Sequence, residues 1–201
     1  MDVWFTVVVP ASGVLAINTQ AGTMTDGILA VYTAPSCAGP FTEVGCDELL
    51  GNGLMVFEYV SGLTPGTTAY IRMGGYVGTF GAIDNGTFDI CIAAGHVWTG
   101  VISSDYSNSQ NWFNVDETPT AGEHIVMSPN FLNPLVVDAG YECNNLYLAN
   151  GSSSIMSIND NIDFTVHGDM IGFAGAAPAN WSFGDGNLVM GGSAPQQIVT
   201  A

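Results

Sequence analysis

The chain has 201 residues, one cationic side chain (Arg72), no lysine and eighteen acids, for a formal charge of −17. That balance excludes nucleic-acid and anionic-membrane surfaces, because both recruit Lys or Arg to the phosphate charge. Apolar residues make up 47% of the chain, enough to build a core, yet no apolar run reaches the roughly 18 residues of a membrane span. The negative field attracts cations, calcium among them, and basic partners. It equally serves plain solubility in a saline or extracellular setting.

The opening stretch, MDVWFTVVVP, lacks a basic leader segment and reads as a strand rather than a signal peptide. Val3, Phe5, Val7 and Val9 alternate with Trp4, Thr6 and Val8. Residues 2–9, 14–19, 28–33, 41–45, 54–60, 68–74 and 87–92 are predicted strands. Pro10-Ala11-Ser12-Gly13, Asp26-Gly27, Pro65-Gly66 and Asn85-Gly86 mark turns between them. Ala69, Ile71 and Met73 point one way and Tyr70 and Arg72 the other. Phe88, Ile90 and Ile92 alternate likewise with Asp89 and Cys91. Short strands punctuated this often predict a jelly-roll-like β-sandwich over residues 1–93.

Residues 94–97 read as a junction. Beyond them, Pro134 to Val137, Leu146 and Leu148, Met156 and Ile158, Ile162 with Phe164 and Val166, Leu188 and Met190, and Ile198 mark short strands. Their close spacing predicts that residues 94–201 form a β-solenoid-like stack of rungs or a second β-sandwich. The fold class expected is all-β throughout. A chain that opens and closes on strands is expected to be a piece of a longer polypeptide, lacking an upstream strand of its sandwich and continuing past Ala201.

None of Cys37, Cys46, Cys91 and Cys143 forms a CxxC pair, so zinc spacing is absent. Cys37 and Cys46 bracket a short loop, and a local disulfide between them is expected to contribute about 2–3 kcal/mol. Cys91 and Cys143 stay open between pairing, burial as thiols and bonding to other chain.

Asp26, Asp47, Glu48, Asp84 and Asp89 lie near turns of the first half. Carboxylates on loops suit Ca²⁺, with Asp26, Asp47 and Glu48 as the candidate ligands. The plainer reading is that Asp favours turns for its own hydrogen bonding. His96, His124 and His167 accompany no nucleophile motif. Trp4, Trp98, Trp112 and Trp181, with Tyr76 and Tyr106, offer a sugar-stacking platform. Core or junction packing explains them more simply. Arg72 is expected to pair with a carboxylate.

The runs DVWFTVVVPASGVLAINT, DGILAVYTAPSC, TEVGCDE, GLTPGTTAYIRMGGY and GTFDICI resemble a β-sandwich module repeated in large secreted proteins of Bacteroidota. That module is related in pattern to bacterial pre-peptidase C-terminal domains. It usually begins some tens of residues earlier, often with a cysteine, which would be the mate of Cys91. WTGVISSDYSNSQNW resembles the opening of a second module of the same surface proteins, in which Trp98 and Trp112 are structural. The resemblance implies a non-catalytic structural or adhesive segment, extracellular or at the cell surface. Its partners would be the rest of a longer chain, neighbouring subunits or surface glycans. The alternatives are a Ca²⁺-dependent carbohydrate-binding module and an accessory domain of a secreted peptidase.

Overall fold

In a computed structural model of the chain, residues 2–47, 55–76, 84–113, 118–129, 131–148, 156–172 and 183–200 are described. The protein is all-β and divides into two compact units, Met1–Ala94 and Gly95–Ala201. Among the described residues no helix is long and apolar enough to cross a membrane.

The first unit contains β1 (Asp2–Val8), β2 (Leu15–Ala21), β3 (Gly27–Thr33), β4 (Thr42–Asp47), β5 (Phe57–Val60), β6 (Thr68–Gly75) and β7 (Phe88–Ala94). Two antiparallel sheets result, ordered β1-β6-β3-β4 and β5-β2-β7. The alternation read from the sequence decides which side chains they bury. Ala69, Ile71 and Met73 from β6 join Leu29 and Val31 from β3 and Leu15 and Ile17 from β2 in one hydrophobic cluster. Phe5, Val7, Phe88, Ile90 and Ile92 pack against it. Turn geometry closes the unit at Gly13. Its φ of 68° and its approach to Leu63, whose N–H donates to the Gly13 carbonyl at 3.1 Å, leave no room for a side chain.

The second unit contains β8 (His96–Trp98), β9 (Ile125–Met127), β10 (Leu135–Val137), β11 (Glu142–Cys143), β12 (Leu146–Leu148), β13 (Met156–Ile158), β14 (Asp163–Val166), β15 (Met170–Gly172), β16 (Asn187–Met190) and β17 (Ile198–Thr200). Among the described residues a 3-10 turn, Ser109–Asn111, precedes β9. Three sheets form, ordered β8-β9-β12-β15-β17, β10-β13 and β11-β14-β16, and every strand pair in them is parallel. In-register pairing superimposes like on like. Ile125, Leu146 and Met170 stand in one row, Trp98, Met127 and Leu148 in another, and Leu135 lies on Met156. These side chains form one buried cluster with Tyr106, Trp112, Phe164 and Val166.

One expectation changes. The junction assigned to residues 94–97 contains the first parallel strand, since His96–Trp98 pairs with Ile125–Met127. The strand expected at Ile198 is present and pairs with β15, with Ile198 itself 60% exposed.

Candidate functional site

The outward face of the β1-β6-β3-β4 sheet carries the side chains best arranged to meet a ligand. Cross-strand register sets them in rows. Trp4, Arg72, Ala30 and Cys46 form the middle row. Thr6, Tyr70, Tyr32 and Glu43 flank it on one side, and Asp2, Gly74 and Ile28 on the other. Ala30 and Gly74 put almost no bulk at the centre while longer side chains surround them. The result is a cleft of about 580 Å³ whose lining includes Asp2, Tyr32, Glu43, Cys46 and Arg72.

The chemistry of this cleft is mixed. Arg72 Nε and Nη2 donate to Asp2 Oδ2 at 2.9 and 2.6 Å, and both side chains remain open to solvent. Hydrogen bonds to Asp2 and then to Tyr32 raise the guanidinium further above its ordinary pKa. Around Tyr32 an aromatic group assembles. The ring of Trp4 lies 5.6 Å from Tyr32 and 5.3 Å from Phe41, and Phe41 meets Tyr70 edge-on at 5.3 Å. Trp4 is 47% and Phe41 40% exposed. The expectation that Trp4 packs in a core or junction is therefore corrected: its side of β1 faces away from the cluster that Phe5 and Val7 join. Trp98, Trp112 and Tyr106 are core residues as expected, and Tyr76 is exposed. Trp181 lies outside the described residues.

The expected disulfide does not form. Cys37 and Cys46 are both thiols, as are Cys91 and Cys143. The reason is the β3–β4 hairpin, whose strands pair from Thr33↔Thr42 back to Leu29↔Asp47, with Cys46 opposite Ala30. Cys37 sits in the connecting loop. At about 3.3 Å per residue the strand carries Cys46 roughly 13 Å from the loop, beyond disulfide reach. Burial pushes the Cys91 thiol up to about 11 and the Cys143 thiol up to about 12.

Of the proposed calcium ligands, Glu48 lies outside the described residues. Among the described residues no group of three or more His, Cys, Asp or Glu side chains is placed to hold a metal. Asp84 Oδ2 accepts from the N–H of Thr25 at 2.7 Å, its hydroxyl at 3.0 Å and the N–H of Asp26 at 2.7 Å. Those bonds, led by the Thr25 backbone, hold its carboxyl below the usual range. Here the turn-stabilising role of Asp prevails. Asp47 is buried on the inner face of β4 and Oδ2 accepts from the Phe57 N–H at 3.1 Å. Beside it, Glu58 points inward from β5, opposite Ile17, and its carboxylate lies against Gly45. Burial, then the Asp47 charge, push the Glu58 carboxyl up to about 7. Sequence reading passed over Glu58, although its place in Phe57–Val60, two residues from the buried Val60, was the available signal.

The histidines take structural partners. His96 Nε2 lies 3.2 Å from Glu123 Oε1, and its buried Nδ1 has no partner. His124 Nδ1 accepts from the Asn145 N–H at 3.1 Å, and burial lowers its pKa. His167 Nε2 lies 2.9 Å from Glu142 Oε2. Sequence reading also overlooked Asn111. Fully buried, its Oδ1 accepts from the N–H groups of Ile102 and Ser103, and its Nδ2 donates to Ser103 Oγ and the Asp105 carbonyl.

Comparison with protein-family models, with curated proteins and with solved structures finds no match to this chain.

Proposed function

We propose that this chain is a non-catalytic structural and adhesive segment of a large secreted or cell-surface protein. The parallel stacking of the second unit supports the reading most directly. A stack in which each strand rests on the next supplies length and a continuous core. Its histidines and amides satisfy backbone and carboxylate groups within the stack. The resemblance to repeated surface modules points the same way. The adhesive part of the reading rests on the outward cleft of the first unit, with its exposed rings and open ion pair.

Pulling the protein between terminal handles in a force microscope tests the structural role. Stepwise extension of the second unit, with segments released rung by rung, is the expected result. A second unit that unravels without resistance would contradict a spacer role. So would hydrolysis of a peptide or glycoside substrate by the purified protein.

A further inference from the structure

We propose that the outward cleft of the β1-β6-β3-β4 sheet binds a short neutral oligosaccharide without the help of a metal ion. This deepens the adhesive reading above by naming its ligand class and its residues. Three observations carry it. The cleft, at about 580 Å³, has the size of a small-molecule site. Its polar residues bring donors and acceptors side by side, among them the Arg72 guanidinium, the Asp2 and Glu43 carboxylates and the Tyr32 hydroxyl, with Asp47 also in the lining. A sugar hydroxyl both donates and accepts, so it suits such a pairing better than a group that does only one. Beside the cleft, Trp4, paired with Arg72 across β1 and β6, presents a half-exposed ring in contact with Tyr32 and Phe41. An apolar ring fixed in this way is a surface for the C–H face of a pyranose, and it loses little conformational freedom on binding.

Charge narrows the class. A uronic or sialylated chain would enter against a protein of formal charge −17. A basic ligand finds Asp2 already engaged by Arg72 at 2.6 Å, with Glu43 as the exposed acid left to it in the lining. It also finds no ring-walled hollow for an ammonium group, because Phe41 packs edge-on against Tyr32 and Tyr70 at 70° and 82°. A neutral polyhydroxy ligand meets neither obstacle. Cys46, exposed in the same lining, adds a chemical reporter.

The experiment titrates the intact protein with linear gluco-, manno-, xylo- and galacto-oligosaccharides, by calorimetry and tryptophan emission, with and without chelator. At least one neutral series is expected to bind, to shift emission to shorter wavelength, to slow alkylation of Cys46 and to ignore the chelator. Trp4→Ala and Arg72→Met are each expected to weaken binding by about tenfold or more. Leu132→Ser, at an exposed position in the other unit, should leave it unchanged. Near-ultraviolet circular dichroism checks that each variant folds, and Glu43→Ala serves in place of any that does not. The proposal is overturned if no neutral series binds, if the cleft substitutions leave binding intact, or if chelator abolishes it. Capture of a polyanion or a lysine-rich peptide at this cleft instead would also overturn it. Failure here leaves the stepwise extension under force untouched, so the two readings fall separately.

Discussion

Glu58 is a carboxyl group whose protonation the fold opposes giving up. Its ordinary value of 4.5 rises to about 7 in the folded protein. Between those values the unfolded chain has released the proton and the folded chain still holds it, so stability falls as pH rises from about 4.5 to about 7 and levels off above. The loss should amount to roughly 1–2 kcal/mol once solvent screening of a half-buried group is allowed for. Denaturant titrations at several pH values, compared between the native protein and Glu58→Gln, isolate this group from the general repulsion among acids. Glu58→Gln is expected to flatten the profile of the first unit in that window; an unchanged slope would show that Glu58 is not its source. The cysteines offer a second test at this scale. Cys37 and Cys46 are exposed and should alkylate in the native state. Cys91 and Cys143, with burial raising both thiols, should react only after unfolding. A Cys37–Cys46 linked peptide in a non-reducing digest would restore the bridge that the hairpin register opposes. The direction of Arg72, opposite to Ile71 and Met73, was legible from alternation alone, whereas Trp4 read as a packing residue and is exposed. Their meeting with Asp2 and the bare floor at Ala30 and Gly74 was not. Those depend on the pairing of β1 and β3 with β6, and register between distant strands has no local signature.

Strands of six to eight residues, such as β3 and β6, were legible because several turns of a two-residue period stand out from chance. Three-residue strands divided: Leu135–Val137, Leu146–Leu148 and Met156–Ile158 were legible from their apolar residues, and others were not. His96–Trp98 and Ile125–Met127 are buried at every position, so they show no alternation, and Glu142–Cys143 is too short to have a period. Turns with restricted backbone geometry flank such short strands. Gly100 has a φ of 57°, its carbonyl accepts from Asn133 Nδ2 at 2.7 Å, and a Cβ there would drive into the Asn133 carbonyl. Gly122 faces open space. Gly100→Ala is therefore expected to destabilise the second unit by roughly 1–3 kcal/mol, and Gly122→Ala by far less. Equal effects in denaturant unfolding would mean that the Gly100 turn does not position β8. Edge strands show a related device. Asp47 on β4 and Glu58 on β5 both turn inward at sheet edges. An inward carboxylate makes an added strand costly there, which restrains edge-to-edge association.

At the scale of the whole molecule, eighteen acids face one arginine. Among the described residues the arginine pairs with Asp2. The Arg72 pair is exposed, so its net contribution is small and salt weakens it. Repulsion among the remaining acids acts over longer distances and opposes the compact state. Added salt therefore removes more repulsion than attraction. Raising the concentration from about 0.01 M to about 1 M shortens the screening length from ~30 to ~3 Å. The thermal midpoint should climb steadily across that range, most steeply at its dilute end. Arg72→Met should lower the midpoint slightly in dilute salt and leave it unchanged in concentrated salt, because the pair it breaks is already screened there. A midpoint that falls with sodium chloride would mean that ion pairs, rather than repulsion, dominate the surface. A further rise on adding calcium to the high-salt sample would point to a bound cation, since screening is by then complete. Acidity of this kind has its consequence for association rather than for fold. It opposes the approach of polyanions and leaves an uncharged ligand as the partner least disturbed by the field.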